Sequence, residues 1–270
     1  MQMTKSNKKQ ATPPVTQFFG AEAFGATVET VLRWLGNSGL HINSRGTNLM
    51  IDPVVEDFDM PLLIDMPITS DKIPHLDAVL ITHDDNDHFS KSFRVNTKET
   101  VDLYHAPHFV ADLIGQEGLP AQGHDIGSTF SVGNVKVEVT RAWHNWKSDF
   151  PKYGRKYAVE DLCGFYIRTE DGSIYIPGDS KALPEQYEMP TPDAIFFDWS
   201  DNFWHIGFQN AVRLANTYPN ADLICQHWGT VDAPDMNTFN MDPAELYEKV
   251  TNPERIQVLA AGQPFTLTKK

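Results

Sequence analysis

At 270 residues with 41% hydrophobic composition, the chain is long enough to bury a sizeable core in one large domain or two small ones. Its 36 acidic against 22 basic residues give a net charge of -14, which argues against a polynucleotide held by the overall surface. No apolar run approaches the roughly 18 residues of a membrane span, the opening MQMTKSNKKQATPP has no apolar segment behind its lysines, and Cys163 and Cys225 sit inside apolar runs with no disulfide framework.

A soluble, cytoplasmic protein with a small-molecule substrate is therefore expected, with no nucleic-acid or membrane partner and with homo-oligomerisation left open. Residues 1 to 14, with Lys5, Lys8 and Lys9, read as a structureless tail. From about residue 28, VETVLRWLG, GLHIN and TNLMIDP form short β-rich runs separated by turn residues, an antiparallel meander. Further strands are expected over 77 to 82, 101 to 106, 135 to 143, 162 to 169 and 173 to 179, with Asp171-Gly172 as a hairpin turn between the last two. Residues 89 to 97 and 107 to 115 are weaker helix candidates. Phe208 to Tyr218 carries a one-faced apolar pattern closed by Pro219 and reads as a helix; Asp242-Pro243 before AELYEKV reads as the start of another. Strands at 194 to 199, 222 to 226 and 256 to 267 alternate with these. No repeat, low-complexity segment or long linker divides the chain, so residues 15 to 270 read as one α/β domain with two sheets covered by helices.

The chemistry concentrates in Ile81-Thr82-His83-Asp84-Asp85-Asn86-Asp87-His88, where an apolar strand runs into two imidazoles and three carboxylates. Clustered like charges repel unless cations neutralise them, and imidazole with carboxylate is the ligand mixture of zinc, manganese or iron. A solvated acidic turn capping the next helix is the plainer alternative for this segment alone. Three more ligand types end strands: His144 in VTRAWH, Asp179 in YIPGDS and His227 in LICQHWG. Loops at one sheet edge can bring such residues together.

These residues resemble the metallo-β-lactamase superfamily. Its motif H-x-H-x-D-H is matched by His83, Asp85, Asp87 and His88 with one change, and Asp52 in LMIDP, His144, Asp179 and His227 match its remaining motifs in order. RWLGNSGLHI, the stretch from His205 to Pro219 before ICQHWGT, and the closing AAGQPFTL are similar to the L-ascorbate-6-phosphate lactonase group and related metal-dependent hydrolases.

The resemblance implies a four-layer αβ/βα sandwich of two mixed sheets flanked by helices, and two divalent ions, zinc first, with manganese or iron as alternatives. His83, Asp85 and His144 would hold one ion, Asp87, His88 and His227 the other, with Asp179 bridging and Asp52 orienting a ligand from behind. Asp85 stands where histidine is commoner. If it ligates, the extra carboxylate brings two divalent ions and a bridging hydroxide to neutrality, a weaker Lewis acid more tolerant of manganese; if it turns outward, the first site is incomplete.

A metal-bound hydroxide would then carry out hydrolysis, with Asp179 positioning it and His205 donating a proton to the leaving group. Between His144 and Asp161 lie Lys147, Lys152, Arg155 and Lys156 with Trp146, Tyr153 and Tyr157, read as a lid in which Arg155, Lys156 and Trp146 contact an anionic substrate. The tryptophans flanking the ligands could equally line a pocket or fill the core. The expected activity is hydrolysis of a small metabolite, a lactone or related ester. A phosphodiesterase and a noncatalytic binding protein with a degenerate site are the alternatives, and a dinuclear iron enzyme on the same scaffold is a third.

Overall fold

The computed structural model describes residues 4–5, 10–144 and 153–270, so Trp146, Lys147 and Lys152 lie outside the described residues. Two seven-stranded mixed sheets stack face to face. The first runs in the order β16-β3-β4-β5-β6-β7-β8, from β3 (Thr30–Gly36), β4 (Gly39–Ser44), β5 (Thr47–Ile51), β6 (Ala78–Leu80), β7 (Tyr104–Pro107), β8 (Ala121–His124) and β16 (Pro264–Thr266). The second runs β15-β14-β13-β12-β11-β10-β9, from β9 (Thr129–Val132), β10 (Val135–Arg141), β11 (Cys163–Arg168), β12 (Ser173–Ile176), β13 (Ala194–Phe197), β14 (Asp222–Cys225) and β15 (Ile256–Gln257). Each sheet has an antiparallel part that becomes parallel, at β5 to β6 and at β12 to β13.

Period-two alternation builds the layers. Leu49, Ile51, Ala78 and Leu80 face the second sheet and meet Val137, Val139, Phe165 and Ile176, while Met50, Val79 and Ile81 face the other way. There they pack on Phe93 of α1 (Lys91–Asn96) and on Val110, Ala111 and Ile114 of α2 (His108–Gln116). On the second sheet, α3 (Phe208–Thr217) buries Ala211, Leu214 and Ala215, one side of the helix. The expected two-sheet, four-layer architecture is therefore present. Among the described residues no helix is long and apolar enough to cross a membrane.

Three local expectations need correction. The tail over residues 1 to 14 is not structureless throughout. β2 (Ala11–Thr12) pairs with β1 (Thr4–Lys5), Ala11 is buried in the main core, and the buried Gln10 side chain donates to the carbonyls of Val231 and Phe239 while accepting from Ala233 N–H. A polar segment is thus fixed by backbone groups more than 200 residues away, which composition does not encode. The run from 256 to 267 is two strands in different sheets, split by a turn through Gly262 (φ 80°). The helix expected after Asp242 is one 3-10 turn, Pro243–Leu246, although Asp242 caps it as expected by accepting from Ala244 N–H at 2.9 Å.

Candidate metal centre

Six chain segments end at one edge of the stacked sheets. Asp52 follows β5, Thr82 and His83 follow β6, His144 follows β10, Asp179 follows β12, Asp198 follows β13 and His227 follows β14. Hydrogen bonding fixes the edge, since Asp52 N–H donates to Leu80 O and Gln226 N–H to Phe197 O. Asp179 is presented by Gly178, whose backbone is left-handed (φ 68°) and whose absent Cβ would lie 2.6 Å from Cys163 O, so no side chain fits there. Asp52 and His227 are themselves left-handed (φ 43° and 60°), a costly conformation for residues with side chains that marks this edge as over-determined by its surroundings.

The imidazoles are all oriented in the same sense, with Nδ1 anchored and Nε2 turned inward. His88 Nδ1 is 2.8 Å from Asp52 Oδ2, His144 Nδ1 is 3.2 Å from Trp204 O, His227 Nδ1 is 3.0 Å from Thr238 O and His205 Nδ1 is 2.8 Å from Asp198 Oδ2. Thr82 completes the set: its hydroxyl donates to Asp52 Oδ2 at 2.5 Å, so it accepts from His83 Nδ1–H at 2.9 Å. Each ring thereby turns Nε2 toward the carboxylates.

Those Nε2 atoms sit around three carboxylates at ligand spacing. Asp85 Oδ2 is 3.2 Å from His83 Nε2 and 3.3 Å from His144 Nε2. Asp179 Oδ2 is 3.2 Å from His88, 3.3 Å from His227 and 3.5 Å from His205, and Asp87 Oδ2 is 3.4 Å from His227. Ligands bonded tetrahedrally at about 2.0–2.1 Å lie about 3.3–3.4 Å apart, so these edges suit a divalent ion. Buried His83 Nε2, His227 Nε2 and Asp179 Oδ1 make no hydrogen bond, a costly state unless a cation engages them. Asp87, His88, Asp179 and His227 form one compact donor set, His83, His144 and Asp179 a second, and Asp179 belongs to both.

A family model for the β-lactamase superfamily domain matches residues 47–228, which span this whole set of donors. The chain belongs to the metallo-β-lactamase superfamily. Its curated relatives include a metal-dependent hydrolase of Methanosarcina barkeri, 26% identical over 225 residues that cover 81% of this chain and 90% of the relative. Another, from Caldivirga maquilingensis, is 24% identical and covers 88% of this chain and 99% of the relative. Among solved structures, the metallo hydrolase Igni18 of Ignicoccus hospitalis superposes with a TM-score of 0.71 at 19% identity, covering 90% of this chain and all of that one. An isothiocyanate hydrolase from Delia radicum gut bacteria gives 0.70 at 18% identity, covering 88% and 100%. These two share the fold.

Charge within this superfamily site is mutually arranged. Burial opposes ionisation of Asp179, yet His227, His88 and His205 outweigh it and hold its pKa well below the ordinary range. Burial likewise disfavours charge on His88 and His227, but Asp179 and the neighbouring carboxylates raise both well above the usual imidazole value. His83 and His144 go the other way: burial, with the positive charge of His88, lowers both, so they stay neutral and available as ligands.

The structure places His83, Asp85, Asp87, His88, His144, Asp179 and His227 in one cluster, with Asp52 behind His88. Asp85 faces His83 and His144 and does not turn outward. His205 sits inside the cluster, closer than its place at the head of a helix suggested. The anion-binding assignment of Arg155 and Lys156 is not supported. Arg155 pairs with Asp161 at 2.9 Å and covers the Phe109 ring at 4.3 Å, while Lys156 is exposed, and neither bonds to the cluster. Trp146 lies outside the described residues. Trp199 and Trp228 are core residues, stacked with Phe197 and Trp34.

Sequence patterns did not single out Asn37 or Asp198. Asn37 occupies the tight turn between β3 and β4 with φ 43°, its Nδ2 donates to Asp87 Oδ2 at 3.1 Å, and its carbonyl accepts His227 N–H at 2.9 Å, so one turn residue steadies two cluster members. The signal was Gly-Asn-Ser-Gly, which reads as an ordinary hairpin turn. Asp198 accepts from Ser200 N–H, Ser200 Oγ and His205 Nδ1 at 2.6–2.8 Å, a buried brace hidden in an acidic, aromatic loop sequence.

Proposed function

We propose that this protein is a metal-dependent hydrolase whose centre takes two divalent cations, one at His83, Asp85 and His144 and one at Asp87, His88 and His227, with Asp179 between them. The observation that carries this reading is the membership of the Asp179 carboxylate in both donor sets, with one oxygen facing His88 and His227 and the other left without a hydrogen bond. Divalent cations held there would acidify a water and polarise the substrate oxygen, the two requirements for hydrolysis near neutral pH.

The remaining steps belong to the chain itself. Asp52 and Thr82 fix the tautomers of His88 and His83, so that neither ring must reorient during turnover. His205 is held at Nδ1 by Asp198, which orients the ring so that Nε2 can serve the leaving group as proton donor. The buried walls exclude bulk water and strengthen each of these contacts.

For the substrate we favour a small anionic lactone or related ester, in a cytoplasmic setting. The support is the resemblance of RWLGNSGLHI and AAGQPFTL to the lactonase group, together with an acidic surface unsuited to polynucleotides. The test is a metal count on protein purified without chelator or histidine tag, followed by a screen of lactones, esters and bis-p-nitrophenyl phosphate. Two zinc or manganese ions per chain with lactone or ester turnover is the expected result. Phosphodiester turnover alone would replace the substrate class, two iron ions would redirect the assay to redox chemistry, and failure to take up metal would overturn the reading.

A further inference from the structure

Lys181, Trp143 and Phe203 stand beside the metal centre and take no part in it. Each is one or two residues from a cluster member on a different segment: Trp143 precedes His144, Lys181 follows Asp179 by two, and Phe203 precedes His205 by two. The segments are laced together, since Lys181 N–H donates to Trp143 O at 2.8 Å, Trp143 N–H donates to Ser180 Oγ at 2.9 Å, and the His144 ring bonds the carbonyl of Trp204. The backbones of the three segments therefore meet next to the donors of the centre, and the Lys181 side chain lies against both rings.

Their chemistry is unusual for a surface. Phe203 is 68% exposed and Trp143 43% exposed, although large aromatics are ordinarily covered. Lys181 Nζ lies 3.9 Å from the Phe203 ring centroid and 5.9 Å from that of Trp143, so both rings confine the ammonium without neutralising it. Lys181 has no ion-pair partner among the described residues, in a chain of net charge -14. By contrast, Arg141, on the strand that leads to His144, is paired with Glu185 at 2.8 Å, and Arg155 with Asp161 at 2.9 Å. An unneutralised cation framed by two exposed rings is a receptor for an anion attached to a flat or apolar group.

We propose that Trp143, Lys181 and Phe203 form the substrate-anchoring subsite, taking a carboxylate or phosphate-type group on a substrate whose scissile bond lies over the metal centre. This rests on the hydrolase reading above and assigns to Lys181 the recognition that the sequence suggested for Arg155 and Lys156. The carbon body lies against Trp143 or Phe203 while the ammonium holds the charge. Neutral substrates of the same shape lose only the ionic contact.

Isothermal titration of the metal-loaded full chain with phenylphosphonate, a ring bearing a dianion, and with benzyl alcohol, a ring without charge, tests the subsite. Lys181→Met should weaken phenylphosphonate binding about tenfold and leave benzyl alcohol unchanged. Lys181→Arg should stay within about threefold of wild type, and Phe203→Ala should weaken phenylphosphonate more than inorganic phosphate. Phenylphosphonate binding that is absent in wild type, or unchanged within about twofold in Lys181→Met, overturns the proposal. Metal is counted on every variant, which separates the two readings. Two ions with unchanged affinity defeats the subsite alone, whereas a chain without metal that still distinguishes Lys181→Met defeats the hydrolase reading and with it the substrate-anchoring role, leaving an anion-binding patch only.

Discussion

Buried histidines occur in two regions of this molecule, and they behave differently. At the metal edge, His83, His88, His144, His205 and His227 each have Nδ1 anchored and Nε2 facing carboxylate oxygens. Elsewhere, His105 bonds His124 at 2.8 Å, both rings stack on Phe130, and His41 sits between Phe19 and Phe24 with Nε2 on Asn48. Among the described residues, no carboxylate bonds His41 or His105. Burial lowers the pKa of His105 to about 4 and, aided by Arg33 and against the Asn48 bond, that of His41 to about 3. Burial thus yields neutral packing residues in one region, whereas in the other the converging carboxylates raise His88 and His227 while His83 and His144 stay neutral.

The sharpest way to break this contrast is to remove the shared carboxylate. Asp179→Ala should abolish stable metal uptake and lower turnover by on the order of a thousandfold, read by metal count and a hydrolase assay. Asp85→Ala should remove about one ion per chain and leave the set around His88 and His227 loaded; unchanged occupancy would show that Asp85 is not a ligand. Asp52→Asn, which weakens the hold on His88 without emptying its space, should lower metal affinity about 10–100-fold in chelator competition.

Gln10→Ala tests how far the metal edge depends on the N-terminal strap. Gln10 holds Val231, Ala233 and Phe239, and this loop supplies the Thr238 carbonyl that orients His227. Its loss should cost about 2–3 kcal/mol in urea unfolding and speed amide exchange over residues 231 to 239. In the other region, His105→Gln should leave metal content unchanged and alter only acid stability. A histidine kept neutral near pKa 4 supports folding fully above the unfolded value of about 6.5 and loses that support as pH falls through 4, because the unfolded chain takes up the proton first. The melting temperature of wild type should therefore drop more between pH 6.5 and 4 than that of the variant.

Much of the fold and centre was legible in linear order. Apolar alternation located most strands, and His83 to His88, His144, Asp179 and His227 advertised themselves as ligand types at strand ends. Gln10 and Asn37 were not legible, since a polar tail and a turn asparagine have the same composition whether or not they bond something distant. Arg155 misled because a cation near a site in sequence can be neutralised locally, here by Asp161 and Phe109.

The sequence by itself determined which donors the chain owns and that they fall where strands end. Tertiary structure alone decided that both donor sets share Asp179, that Asp85 faces inward, that His205 joins the cluster and that Lys181 lies against two exposed rings without an ion-pair partner among the described residues. The physical reason is that period and propensity act over a few residues, whereas ligand geometry and charge pairing are set by loops brought together from six separate segments.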